Sequence, residues 1–500
     1  MDVSASPENQ VSHKKILKAT SITGSASVIG IIFGIIRVKI LAVLIGPAGI
    51  GVIGLCHSVI EMGTTIAGVG LKTSGVREIA NDRKDPEQAA LVISTMFRLS
   101  LVTGIIGGLA MFLFSESIAT FTFGEPGYSS LVALLGVAVF AGVLSRHYSA
   151  TVQGMQRIAD LARLMIIGAV AGTVIGIPII LVLGIDGVGP MIVTVSATSL
   201  IASWWYSRKL LFPNVRADRS VHGAIARRLL SQGVILMCTA LATVGAAYII
   251  RVLVQNMLSL EAVGLFTAAY TLSSLYVGFI LQAMGADFFP RLSSMSDSHG
   301  DMVIYVNRQL EMSVLLAASG VVATIAYSDI VISLFYDTEF RPASDLLQWQ
   351  VLGVFGRVIS WPMSFILLAK ASKGPYLFAE ISANVLYIVL SYAGLKLFGL
   401  VGVGMAFVAM YVYYTVLTRI FTGRLVGFRF SHGNIRLVMY MLMAVGGVFL
   451  ITKFLGGILG VSLSTVIVVI VAAACLRTLD MRLDGLVRLK FRKLLLFGKR

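Results

Sequence analysis

The chain has 500 residues, of which 57% are hydrophobic and 13% charged, and its mean hydropathy is +0.90. A soluble domain carries about 25% charged residues, so a water-soluble enzyme or binding module of this length is excluded. The formal net charge of +16 invites a nucleic-acid reading, but the charges lie between long apolar stretches rather than in one basic patch, and no nucleic-acid partner is expected.

Stretches of about twenty apolar residues cross roughly 30 Å of hydrocarbon as helices, which satisfy their own backbone groups. In chain order they predict spans at 20–44, 49–71, 90–114, 129–152, 160–184, 187–206, 230–255, 261–286, 311–335, 345–369, 376–398, 400–420, 435–455 and 457–476. The expected fold class is therefore all-α: a polytopic membrane protein of about fourteen transmembrane helices. The polar opening residues lack a cleavable signal pattern, so the first span is expected to stay in the protein. With the amino terminus inside, 31 of the 40 Lys and Arg fall in inner segments and only Arg341, Lys396 and Lys453 in outer ones. The positive-inside rule then places both termini in the cytoplasm of a bacterial inner-membrane protein, and the inner basic surface would also attract anionic membrane lipid. Cys56, Cys238 and Cys475 are single and scattered, with neither metal nor disulfide spacing.

The longest inner connection, 207–229, is polar and basic and reads as a linker between an N-lobe of six spans (1–206) and a C-lobe of six (230–425), followed by two appended spans (426–476) and a basic tail (477–500). An internal repeat supports the division. "GPAGIGVIGL" aligns with "LEAVGLFTAAY", setting Gly51 against Gly264, and "LGIDGVGPM" aligns with "FGLVGVGMA", setting Gly187 and Gly189 against Gly402 and Gly404. Two related lobes are a scaffold for alternating access. Pro178 and Pro362 fall inside spans and predict kinks. The outer loops, 115–128 and 336–344 being the largest, are too short for a catalytic domain.

Ionisable residues inside spans carry most information, because a central charge costs about 2.5–3.5 kcal/mol on insertion scales and needs a partner, a wet cavity or a ligand. Arg357 lies at the midpoint of span 10; Arg37 and Lys39 lie in span 1, Arg251 in span 7, Arg98 in span 3, and Arg146 and His147 near the inner end of span 4. Acids are fewer, with Glu61 near the middle of span 2 and Asp287, Glu311 and Glu380 nearer the inner face. The surplus favours an anion-accepting cavity, for which the always-charged, two-pronged guanidinium is suited. Glu61 is the acid placed to carry a coupling H+ or Na+, or else to pair with Arg37 or Lys39. Nucleotide-binding, metal-binding and nucleophile motifs are absent from the sequence, so neither a cofactor nor an enzyme activity is expected.

The runs "RVKILAVLIGPAGIGVIGL" and "LLQWQVLGVFGRVISWPMSFILLAKASKGPYLFAEI", the second holding Trp349, Gln350, Lys370 and Glu380, resemble the Wzx-type polysaccharide translocases. These are the O-antigen and lipid III flippases of the multidrug/oligosaccharidyl-lipid/polysaccharide exporter superfamily, and the likeness spans roughly residues 15–430. It implies ion-coupled translocation of an undecaprenyl-diphosphate-linked sugar repeat unit, with a polysaccharide polymerase as a candidate partner. It also implies that Lys39, in the family's Lys-x-Leu-Ala pattern, touches the head group; with the cations read above, the expected substrate-binding residues are Arg357, Arg37, Lys39, Arg251, Arg98 and Lys370. Many relatives end after span 12, so spans 13 and 14 suggest a groove for the lipid tail. The alternative is a cation-coupled multidrug exporter of the same superfamily, which would favour acidic and aromatic residues over Arg in its cavity.

Overall fold

The structure is a computed structural model that describes residues 7–482 apart from 83–84, 211–212, 214–217, 296, 371 and 456, with side chains from Ile29 onward except those positions and 283, 286, 287 and 373. Most of the expected basic tail, part of the expected linker and the side chain of Asp287 lie outside the described residues. Among the described residues the regular structure is entirely helical: seventeen α-helices and three short 3-10 turns. Twelve stretches are long and apolar enough to cross a membrane. Two of these, Ile29–Gly68 and Ile158–Ser207, run for 40 and 50 residues, and each is interrupted. The first breaks at Gly46 (φ 60°, ψ −169°), a conformation open to glycine, and Pro47 restarts the helix where its missing N–H does no harm. The second breaks at the 3-10 turn Gly184–Gly187. The difference from the expected fourteen lies in these two merged stretches.

Contacts divide the chain into two units, Met1–Gly264 with Phe335–Asp337, and Leu265–Leu334 with Thr338–Arg500. The first unit contains α1 (Pro7–Gly68), α2 (Leu71–Asn81), α3 (Pro86–Leu113), α4 (Ser115–Phe123), α5 (Ser129–Gly154), α6 (Ile158–Val174), α7 (Gly176–Leu183), α8 (Val188–Ser207), α9 (Arg219–Met257) and the start of α10 (Leu260–Ser294). Asp85 caps α3 by accepting from the amides of Glu87 and Gln88, with Pro86 at the first helical position. The kink expected at Pro178 appears as an interruption at Ile175 between α6 and α7. Residues 219–229, expected in the linker, form the first three turns of α9. Ile225 and Leu229 pack there with Leu71, Ile79, Val92 and Met96, while Arg228 holds the Glu78 carboxylate at 2.9 Å. The segment is amphipathic rather than apolar, which is why hydropathy alone passed over it.

The aligned glycines meet. A Cβ on Gly51 would strike the carbonyl oxygen of Leu260, and one on Gly264 would strike the carbonyl oxygen of Pro47. The contact is reciprocal at the repeat offset, as between two segments related by a two-fold axis. Close approach of the helices needs glycine at both positions.

The second unit holds the rest of α10, then α11 (His299–Ala326), α12 (Ser328–Phe335, whose last residue belongs to the first unit), α13 (Ala343–Ala369), α14 (Lys373–Phe398), α15 (Leu400–Val426), α16 (His432–Phe454) and α17 (Gly457–Arg482). Here α13 packs on α11 and α15, α14 packs on α15, and α16 and α17 pack on α11. The second pair of aligned glycines plays matching roles: Gly189 seats α8 against Leu131 and Leu134 of α5, and Gly404 seats α15 against Leu346 and Trp349 of α13. The last two helices are tied in at both ends. Lys453 on α16 meets Asp345 at 2.6 Å, Arg482 on α17 meets Glu311 at 2.8 Å, and Asn434 Nδ2 donates to the Asn307 carbonyl at 2.8 Å.

Candidate functional site

Three of the cations expected in spans, Arg37, Arg146 and Arg251, gather in the first unit around His57 and Glu61, which lie one turn apart on the second limb of α1. His57 is within electrostatic reach of Glu61, Arg37, Arg146 and Arg251. Glu61 pairs with neither Arg37 nor Lys39: its Oε2 accepts from Arg146 of α5 at 3.0 Å, both side chains remaining about one-third exposed (38% and 32%). The Arg37 guanidinium lies against the Cα of Gly172 on α6, in space that a Cβ would fill. Lys39 donates to the main-chain carbonyl of Tyr336, and Arg251, buried on α9, donates to the carbonyl of Ala247 at 3.0 Å. Arg98 is exposed on α3 and is not drawn into this group.

Where α1 gives way to α2, a cavity of about 130 Å³ opens beside Arg146, room for about four waters at roughly 30 Å³ each. Among the described residues its polar lining is Thr64, Thr65, Lys72, Thr73, Ser100, Arg146 and His147, without a carboxylate. Desolvation first, and then the Arg146 guanidinium, hold the Lys72 ammonium below its ordinary value, with Glu61 pulling the other way. The backbone turns here through Val69 (φ 45°) and Gly70 (φ 67°), and a Cβ on Gly70 would land on the carbonyl of Gly233. A β-branched residue at positive φ is an outlier that packing has to hold in place. Sequence reading placed Arg146 and His147 but gave them no role, and it missed Lys72. The available signal was the run His57, Glu61, Thr64, Thr65, Gly68 and Lys72, which continues one helical face through the break.

In the second unit Arg357 sits half-buried midway along α13, within electrostatic reach of Glu380 on α14 and Tyr411 on α15. Tyr414 donates to Glu380 Oε1 at 2.6 Å. Lys370 follows the last turn of α13. Also in this unit, an apolar groove of about 430 Å³ runs between α13, α15 and α16, lined by Gly353, Gly356, Val412, Val416, Val438 and Leu442 among others.

Residues 40–345 match the family described as polysaccharide biosynthesis protein. The chain belongs to that family. The second stretch on which the Wzx resemblance rested starts beyond these residues, and it is covered instead by relatives of fuller length. The chain is 24% identical over 401 residues to the lipid III flippase of Escherichia coli K12, an alignment covering 80% of this chain and 96% of the relative. In fold, this family member resembles the lipid II flippase MurJ in an inward closed conformation, with a TM-score of 0.66 at 13% identity, covering 92% of this chain and 99% of that one. It resembles equally an inward-facing multidrug resistance transporter of the MOP superfamily, with a TM-score of 0.66 at 16% identity, covering 79% and 95%. The fold is thus shared by exporters of unlike cargo, and only the side chains can choose between them.

Proposed function

We propose that this polysaccharide biosynthesis protein is a transporter, not an enzyme, that moves an undecaprenyl-diphosphate-linked oligosaccharide repeat unit from the inner to the outer leaflet of the bacterial inner membrane by ion-coupled alternating access. The observation that carries the reading is the similarity along 401 residues to a protein named a lipid III flippase. The cationic positions support it. Arg37, Arg251 and Arg357 are guanidiniums within apolar helices, suited to a diphosphate and unsuited to the cationic drugs of the multidrug alternative. Glu61 is the acid that takes the coupling H+ or Na+. The apolar groove beside α16 is a seat for the isoprenoid tail. In this reading α1 and the α6–α8 stretch each cross the membrane twice, giving fourteen passes with both termini inside. The test is expression in a strain lacking its own repeat-unit flippase, with surface glycan measured. Restoration is expected, and no restoration by a well-expressed, membrane-inserted chain overturns the reading.

A further inference from the structure

The cavity beside Arg146 has a lining that the transport reading has not used. Among the described residues it presents a guanidinium, an ammonium and four hydroxyl side chains, and no carboxylate. His147 is 2% exposed and its Nδ1 has no hydrogen-bond partner. A buried ring nitrogen without a partner, two cations brought together, and hydroxyls around a space of about 130 Å³ are what a phosphoryl group would complete. One feature stands against an anion there. The Glu61 carboxylate already holds Arg146 through a single nitrogen at 3.0 Å, and a second negative charge within about 4–6 Å is disfavoured.

We infer that this cavity binds the phosphoryl group of an isoprenyl diphosphate, and that Glu61 gates it: a cation or proton that neutralises Glu61 frees Arg146 for the phosphate. The charged and titratable groups around Glu61 and its neighbour His57 are Arg146 and His147 from α5, Lys72 from α2, Arg37 from α1 and Arg251 from α9. Among the described residues Glu61 is thus an acid set among several cations, and its charge decides how well the site receives an anion. By linkage, the bound phosphate strengthens the hold of Glu61 on its cation by the same factor. Substrate and coupling ion then load together. The inference rests on the flippase reading only for the identity of what carries the phosphate.

The test is calorimetric titration of the full chain, in nanodiscs of uncharged phosphatidylcholine at fixed pH, with inorganic pyrophosphate. E61Q is expected to bind about tenfold tighter than the parent, about 1.4 kcal/mol. K72Q should bind several-fold weaker and R146Q at least about tenfold weaker. The double variant E61Q/R146Q removes both members of the pair, so neither is stranded if R146Q alone folds poorly, and it should bind no tighter than R146Q. Unchanged affinity in K72Q and R146Q, or a gain from E61Q that persists without Arg146, overturns the site. Farnesyl diphosphate should displace pyrophosphate; displacement by phosphatidylglycerol alone overturns the isoprenyl assignment. Surface glycan restored by the parent together with a flat binding series removes this site and leaves the transport function standing. The expected binding series without glycan restoration does the reverse.

Discussion

Arg357 is half-buried at the middle of α13, too deep to reach an interface by extending its side chain, and Glu380 lies within electrostatic range but not within ion-pair distance among the described contacts. Arg357→Ala should lower surface glycan in the complementation strain by more than about tenfold, with normal protein abundance. Arg357→Lys should recover only part, since it keeps the charge and loses the paired donors. Lost abundance would instead mark a structural role, the Arg357 charge being needed to offset the half-buried Glu380 carboxylate, which would then keep only its hydrogen bond from Tyr414. Glu61→Gln should leave the chain inserted, because an ion pair this exposed contributes at most about 1 kcal/mol, and should abolish the dependence of transport on pH or sodium. Unchanged dependence would remove Glu61 from coupling. These residues were legible because a charge in a hydrophobic run stands out at once. Their partners were not: Arg146 is 85 positions from Glu61, and no local spacing joins them. Lys39 and Arg98 show the converse, since one is engaged by the Tyr336 carbonyl and the other is turned away from the cluster.

At the scale of helices, the crossing of α1 and α10 leaves little tolerance. Gly51→Ala places a methyl on the Leu260 carbonyl, and overpacking of this kind costs about 1–3 kcal/mol. Lower abundance and a lower melting midpoint in detergent are expected, whereas Gly30→Ala, with open space around it, should change neither. Existence of the spans was legible because lipid enforces about twenty apolar residues per crossing. Their ends were less so. The helices α9 and α11 begin at Arg219 and His299, eleven and twelve residues before the apolar runs expected from position 230 and position 311. Those added turns are amphipathic and pack through Leu229 and Val306, which a window tuned to continuous hydrophobicity passes over. Pro178 has a break just upstream, whereas α13 runs on through Pro362, and neighbouring contacts decide whether a freed carbonyl is tolerated.

For the whole molecule, reporter fusions after residues 120 and 340 should read as periplasmic, and fusions after 215 and 500 as cytoplasmic. A periplasmic carboxyl terminus would mean one crossing too many. The close approach at Gly51 and Gly264 was legible in the aligned glycines, since backbone approach leaves glycine no substitute. The grouping by contact was not, because α9 packs on α1, α2 and α3 and so joins the first unit, although the repeat counts it with the second half. The reciprocal glycine crossing also constrains how such a gene can change. What occupies the space at each glycine is a main-chain oxygen, of Leu260 or of Pro47, and no replacement elsewhere can shrink a main-chain oxygen. A damaged Gly51 or Gly264 therefore has no second-site remedy at the crossing: a suppressor screen begun from either alanine variant should return true revertants, and chimaeras spliced between relatives should survive only when both halves bring their glycine.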